Sequence, residues 1–196
     1  VLALAKNWSL QDIAFYIADR NGTGLGLAAV QGHNGSQTMK PLLPHIADVV
    51  SHKNTIKVER LFNVLNDEIR EREAKFQAAK VDSWLAYRTQ HPSDTMPALV
   101  VVIDNLLEFL QNNGPAQLID LVRGAKSFGI YVLMTIDRLT TTTVPNDLQK
   151  NIGQQVVLRL NSKEDSEALL NKAFAYYLNP HDYGRGYIPE FPLPRE

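Results

Sequence analysis

The sequence has no cysteine. That excludes a disulfide framework, a thiolate metal site and a cysteine nucleophile, and it fits a reducing compartment. No apolar run approaches the roughly 18 residues that a membrane span needs. Net charge is also missing: 20 Lys and Arg stand against 21 Asp and Glu, a formal balance of −1. Bulk electrostatics therefore supply no general attraction to nucleic acid or to an anionic membrane, which leaves only a local basic patch to provide one. The sequence contains no G-x-x-x-x-G-K-[ST] loop, so no phosphate cradle of that kind lies within it. His33, His45, His52, His91 and His181 show no spacing with carboxylates that would build a metal site, and no Ser-His-Asp arrangement is evident. A hydrolase of independent design is not expected.

What is present is patterned. With 196 residues, 44% of them hydrophobic, the chain can bury one sizeable core and is short for two domains. A single domain over 1–196 is expected. The opening Val1–Ala5 has neither an initiator Met nor a basic leader, and reads as a helix entered partway, with further sequence expected upstream. Residues 13–18 form a β-favouring run that ends at Asp19 before the flexible, glycine-rich 21–26. Residues 32–41 read as an exposed loop. From Thr55 to Lys80, apolar Val58, Leu61, Phe62, Leu65, Ile69 and Phe76 recur at three- and four-residue steps, which predicts a long amphipathic helix. Buried strands are predicted at 98–103 and 130–135, with a helix opened by Gly114-Pro115 between them. A fifth apolar stretch covers 155–160, a polar loop 140–145 and a helix 165–177. Short apolar strands alternating with long helices imply βαβ units. The expected architecture is therefore α/β, three-layered, around a mostly parallel sheet.

The run Ala98–Ile103 delivers Asp104 and Asn105 at its carboxyl end. A carboxylate there can orient Mg²⁺, or it can cap the following helix. The amide of Asn105 cannot accept a proton at neutral pH. Glu108 lies three residues on, either on a helix face or as a substitute base. Trp84 and Tyr87, with Phe76 and Arg88 nearby, either offer a groove to an amphipathic partner helix or pack the core of a helical hairpin.

Taken in order, several segments carry a resemblance: Phe15–Asp19 with its glycine turn, Leu43–Val50, Arg72–Phe76, Val81–Arg88, Val100–Asp104, Asp165-Ser166 and Gly184-Arg185-Gly186. Together they resemble the FtsK/SpoIIIE family of ring-forming motor ATPases, and most closely the EccC/EssC-type modules of type VII secretion. The resemblance spans nearly the whole chain. It implies a RecA-like P-loop NTPase fold whose first strand and P-loop fall upstream of Val1, and a chain that is one partial domain of a larger multi-domain protein. It matches Asp104 to the Walker B aspartate, with Asn105 where active members place glutamate. Thr135 stands at the segment that senses the γ-phosphate, and Gly184, Arg185 and Gly186 at the base side of the nucleotide. The alternatives are a Thr that ends a buried strand and a plain glycine turn. Lys150 and Gln155 occupy positions where active modules keep arginines, and Lys is not an adequate replacement for a fork-shaped donor.

The function so implied is a degenerate, non-hydrolysing module of a hexameric protein translocase, used for binding a secretion signal or for regulating an active neighbour. ATP and Mg²⁺ are the implied cofactors, not expected to bind this chain alone. The implied partners are other ATPase modules of the same chain and ring, and a helical secretion signal. The implied location is the cytoplasmic part of a membrane-associated bacterial protein. The alternative is an ATP-dependent DNA translocase whose P-loop lies outside this chain. Only on that reading is DNA a partner.

Overall fold

A computed structural model describes residues 1–31, 38–137 and 144–188, which fall into two compact units, Val1–Leu148 and Gln149–Glu196. Arg138, most of the predicted 140–145 loop and the Pro-rich tail lie outside the described residues.

In the first unit the order is α1 (Leu2–Asn7), β1 (Ile13–Asp19), β2 (Ala28–Gln31), β3 (Thr38–Pro41), β4 (Ile46–Ser51), α2 (Thr55–Ala79), α3 (Trp84–Gln90), β5 (Ala98–Ile103), α4 (Leu106–Asn113), α5 (Ala116–Gly124), a 3-10 turn at Ala125–Phe128 and β6 (Ile130–Met134). A further helix, α6 (Asn146–Asn151), begins at its end. The sheet is four-stranded and wholly parallel in the order β4-β1-β5-β6. β2 and β3 form a separate antiparallel pair, so the expected loop at 32–41 ends in a strand, and its residues 32–37 lie outside the described residues.

The continuous apolar character of β1 and β5 follows from burial on both faces. Leu99, Val101 and Ile103 point to one side with Ala18, and there they meet Leu61, Phe62 and Leu65 of α2, Phe109 of α4 and Leu118 of α5. Phe15, Ile17, Val100 and Val102 point to the other side, where Val1 and, in α1, Ala5 pack with Leu27 and Leu43.

The long helix forms where its periodicity predicts it. Asn54 caps its start by accepting from the Lys57 N–H, and it stops at Lys80, whose backbone is left-handed at φ 55°. Arg72, although charged, is 1% exposed. Its guanidinium donates to Glu68 at 2.7 Å, to the Phe128 carbonyl at 2.7 Å and to the Pro97 carbonyl at 2.8 Å, so α2 is tied to the segments that enter β5 and β6. A planar five-donor fork suits this multiple role.

The second unit contains β7 (Val157–Leu158), α7 (Lys163–Leu170) and β8 (Gly186–Tyr187), with β7 and β8 antiparallel. The predicted helix over 165–177 is shorter than expected. It ends at Asn171, left-handed at φ 54°, and the buried Ser166 hydroxyl donates to the Lys172 carbonyl and accepts from the Ala175 N–H, which holds the next segment in a turn. Among the described residues no helix is long and apolar enough to cross a membrane.

Candidate functional site

The carboxyl ends of β1 and β5 lie side by side, and the Asp104 N–H donates to the Ala18 carbonyl at 2.9 Å. In open α/β sheets ligands bind beyond the carboxyl ends of the strands. Three residues singled out in the sequence meet here. The Thr135 hydroxyl, just past β6, donates to Asp104 Oδ1 at 2.7 Å and accepts from the Asn105 N–H at 3.0 Å. One hydroxyl thereby fixes the carboxylate and the turn that follows it.

Asn105, not Asp104, caps the next helix. Its backbone is left-handed at φ 59° and ψ 72°, and its side-chain oxygen accepts from the Glu108 N–H at 3.3 Å. Asn tolerates this conformation better than most residues with a Cβ, and it is among the best N-caps. The reading of Asp104 as the cap of α4 is therefore replaced, and the Asp104 carboxylate keeps an oxygen that no protein hydrogen bond occupies among the described residues. Glu108 sits in the first turn of α4, where its carboxylate pairs with Arg20 at 3.3 Å. Arg20, Lys53, Asn105, Glu108 and Asn112 line a shallow pocket of about 480 Å³.

Asp19 organises the loop beside this pocket, a role that the sequence pattern did not reveal. The residue is 4% exposed. Its carboxylate accepts from the N–H groups of Asn21, Gly22, Thr23 and Leu25 and from the Thr23 hydroxyl. Burial pushes the carboxyl up, but the donors from Leu25, Thr23 and Gly22 outweigh it and hold the group below the usual carboxylate range. The visible signal was an Asp at a strand end followed by Asn21-Gly22-Thr23-Gly24, a sequence suited to side-chain-to-backbone turns. Read as flexible, the glycine turn is in fact built around a charge.

Trp84 and Tyr87 are used internally. Tyr87 is buried with Phe76 and Met96, and its hydroxyl donates to Asp94 at 2.7 Å. The Trp84 indole N–H donates to the Met96 carbonyl at 3.0 Å, and a Cβ at Gly129, whose φ is +75°, would collide with the indole ring. In the second unit, Gly184 turns the chain at φ +82°, Arg185 pairs with Asp182 at 3.1 Å, and Gly186 lets β8 approach β7, where a Cβ would stand 3.0 Å from the Val157 carbonyl. Lys150 and Gln155 are exposed.

Asp104 suits Mg²⁺ in one respect, since it is a half-buried carboxylate at a strand end, held by Thr135 and with an oxygen to spare. Among the described residues no group of three or more His, Asp or Glu is clustered to hold a metal without other ligands.

The fold defines a class: an α/β domain with a four-stranded parallel sheet, matching the structures of EccC ATPase domains. The cytoplasmic domain of EccC from Thermomonospora curvata superposes with a TM-score of 0.76 at 24% identity, covering 99% of this chain and 22% of that one. ATPases 2 and 3 of the same species' EccC, in complex with a signal sequence peptide, give 0.74 at 22% identity over 95% of this chain and 32% of that one. No family model matches. In sequence, EccCa1 of the ESX-1 secretion system of Mycobacterium tuberculosis is 29% identical over 163 residues, 74% of this chain and 22% of its own length. EccC of Geobacillus thermodenitrificans is 27% identical over 128 residues, 63% of this chain and 8% of its own length. The chain is homologous to the EccC/EssC-type ATPase modules of type VII secretion, in sequence and in structure. It spans a small part of these relatives, 8% and 22% of their lengths.

Proposed function

We propose that the chain is a module of an EccC/EssC-like translocase that has lost hydrolysis and serves to bind a secretion signal or to regulate an active neighbouring module, on the cytoplasmic side of a bacterial membrane. The observation that carries this reading is Asn105. The resemblance matches it to the position of a base that would activate water, its side chain is an amide, and its oxygen is engaged in capping α4. An amide cannot take the proton. Glu108 lies in the first turn of α4 with one carboxylate oxygen against the exposed Arg20.

Mg²⁺ bound with a nucleotide would neutralise charge on the phosphates. Asp104 would orient it, and Thr135 would hold Asp104 in place. The phosphate loop itself is not among these residues, so the chain alone is not expected to retain ATP. The near-neutral overall charge supplies no general attraction to a DNA backbone, which weighs against the DNA-translocase alternative.

The test is calorimetric titration with Mg-ATP together with phosphate release, on the chain and on a form extended upstream of Val1. The expected outcome is no turnover in either, with any binding confined to the extended form and weakened by Asp104→Ala. Turnover by the wild-type extended form would overturn the reading.

A further inference from the structure

A second pocket, of about 440 Å³, lies away from the strand-end site, between the first turns of α2 and the outer strand β4. Its rim carries Lys57 and Arg60, and neither has an ion-pair partner among the described residues. Asp48 is the acid on the opposite wall; one of its oxygens accepts from the Val49 N–H at 2.8 Å, and it forms no ion pair with Lys57 or Arg60, so the two cations outnumber it. Tyr16 supplies a half-buried hydroxyl with no hydrogen-bond partner among the described residues. Burial and the charges of Glu68 and Asp48 push the Tyr16 phenol up, so at neutral pH it remains a donor.

Two exposed aliphatic side chains of α2 flank the cations. Val64, on its wall, is 43% exposed, and Ile56, one turn before Arg60, is 78% exposed. Ile56, Arg60 and Val64 stand at i, i+4 and i+8, so α2 presents an aliphatic–cation–aliphatic stripe on one face. Neighbours four apart on a helix are about 6 Å apart, which sets the spacing a partner must match. A small anion would satisfy Lys57 and Arg60 and leave Ile56 uncovered. A partner helix with a carboxylate flanked by aliphatic residues one turn away covers all of them.

We propose that this groove between α2 and β4 docks an amphipathic helix of a partner protein, with an acidic side chain on Lys57 and Arg60 and aliphatic side chains on Ile56 and Val64. The surface deepens the binding role proposed above and rests on it only for the existence of a protein partner. Its test requires no nucleotide, so its failure is separate from any result on hydrolysis.

The probe is a fluorescein-labelled helical peptide with Glu between two Leu at four-residue spacing, titrated by anisotropy against the chain. The control is the same peptide with Lys in place of Glu. The acidic peptide should bind at least about tenfold more tightly than the basic one, and Lys57→Glu with Arg60→Glu should abolish or invert that preference. Because both residues are exposed, circular dichroism should be unchanged in the variant. Val64→Ser should weaken binding without changing its salt dependence. Equal binding of the two peptides, or an unchanged affinity in the double variant, overturns the proposal. So does displacement of the peptide by glutarate at equal concentration, which would assign the pocket to small carboxylates. Self-association that blocks the peptide and is lost in Arg60→Glu overturns it as well, in favour of a second copy of the chain.

Discussion

Asp19 ends β1 and Asn105 follows the adjacent β5 as the cap of α4, and each settles the backbone beside it. Asp19 gathers the N–H groups of the loop at 21–25, including that of Leu25, which is left-handed at φ 59°. Hydrogen bonds to an ionised group are stronger than neutral ones, so Asp19→Asn is expected to cost about 2 kcal/mol at neutral pH. The sign of the pH dependence follows from the lowered carboxyl. Its contribution is fully present above the ordinary carboxylate range and is lost as pH falls through the folded-state value. Urea unfolding of wild type and Asp19→Asn should therefore differ most near neutrality and converge in acid. A difference independent of pH would assign Asp19 a purely steric role. Asn105→Glu should also be destabilising, by about 1 kcal/mol, because it removes a cap and places an ill-suited residue at positive φ.

Among the elements, α2 depends on Arg72 as much as on its apolar face. Arg72→Met leaves the Phe128 and Pro97 carbonyls without their donor, for an expected loss of about 3 kcal/mol. Arg72→Lys should recover only part of it, since a point charge cannot reach both carbonyls and Glu68 together. Chemical denaturation of the three proteins checks the order. The turn into β6 offers a paired test. Gly129 and Gly184 both have positive φ, but a Cβ meets the Trp84 ring at Gly129 and open space at Gly184. Gly184→Ala should cost about 1 kcal/mol and Gly129→Ala several times that. The periodicity of α2 and the apolar runs of β1, β5 and β6 made these elements legible, because each follows from burial on one or two faces. The hairpin strand β3 and the early end of α7 were not. Both depend on interactions beyond local pattern: pairing with β2, and the Ser166 hydroxyl reaching Lys172 and Ala175.

At the scale of the whole molecule, the alternation of strands and helices predicts the parallel α/β sheet, and the ordered motifs predict the homology with EccC/EssC modules. Asp104, Asn105 and Thr135 were each singled out by the resemblance, and the structure joins them just past β5 and β6 through one hydroxyl. Asp19 was not, since a carboxylate that binds its own loop has no distinctive spacing. Nor did the sequence distinguish an aromatic groove from core packing at Trp84 and Tyr87, whose polar atoms are bound within the chain. The central claim is that the strand-end site keeps its carboxylate and has given up its base. Phosphate release from Mg-ATP by the form extended upstream of Val1 tests it most directly. The account predicts release no faster than the protein-free background. Release that scales with protein concentration and disappears in Asp104→Ala would contradict it.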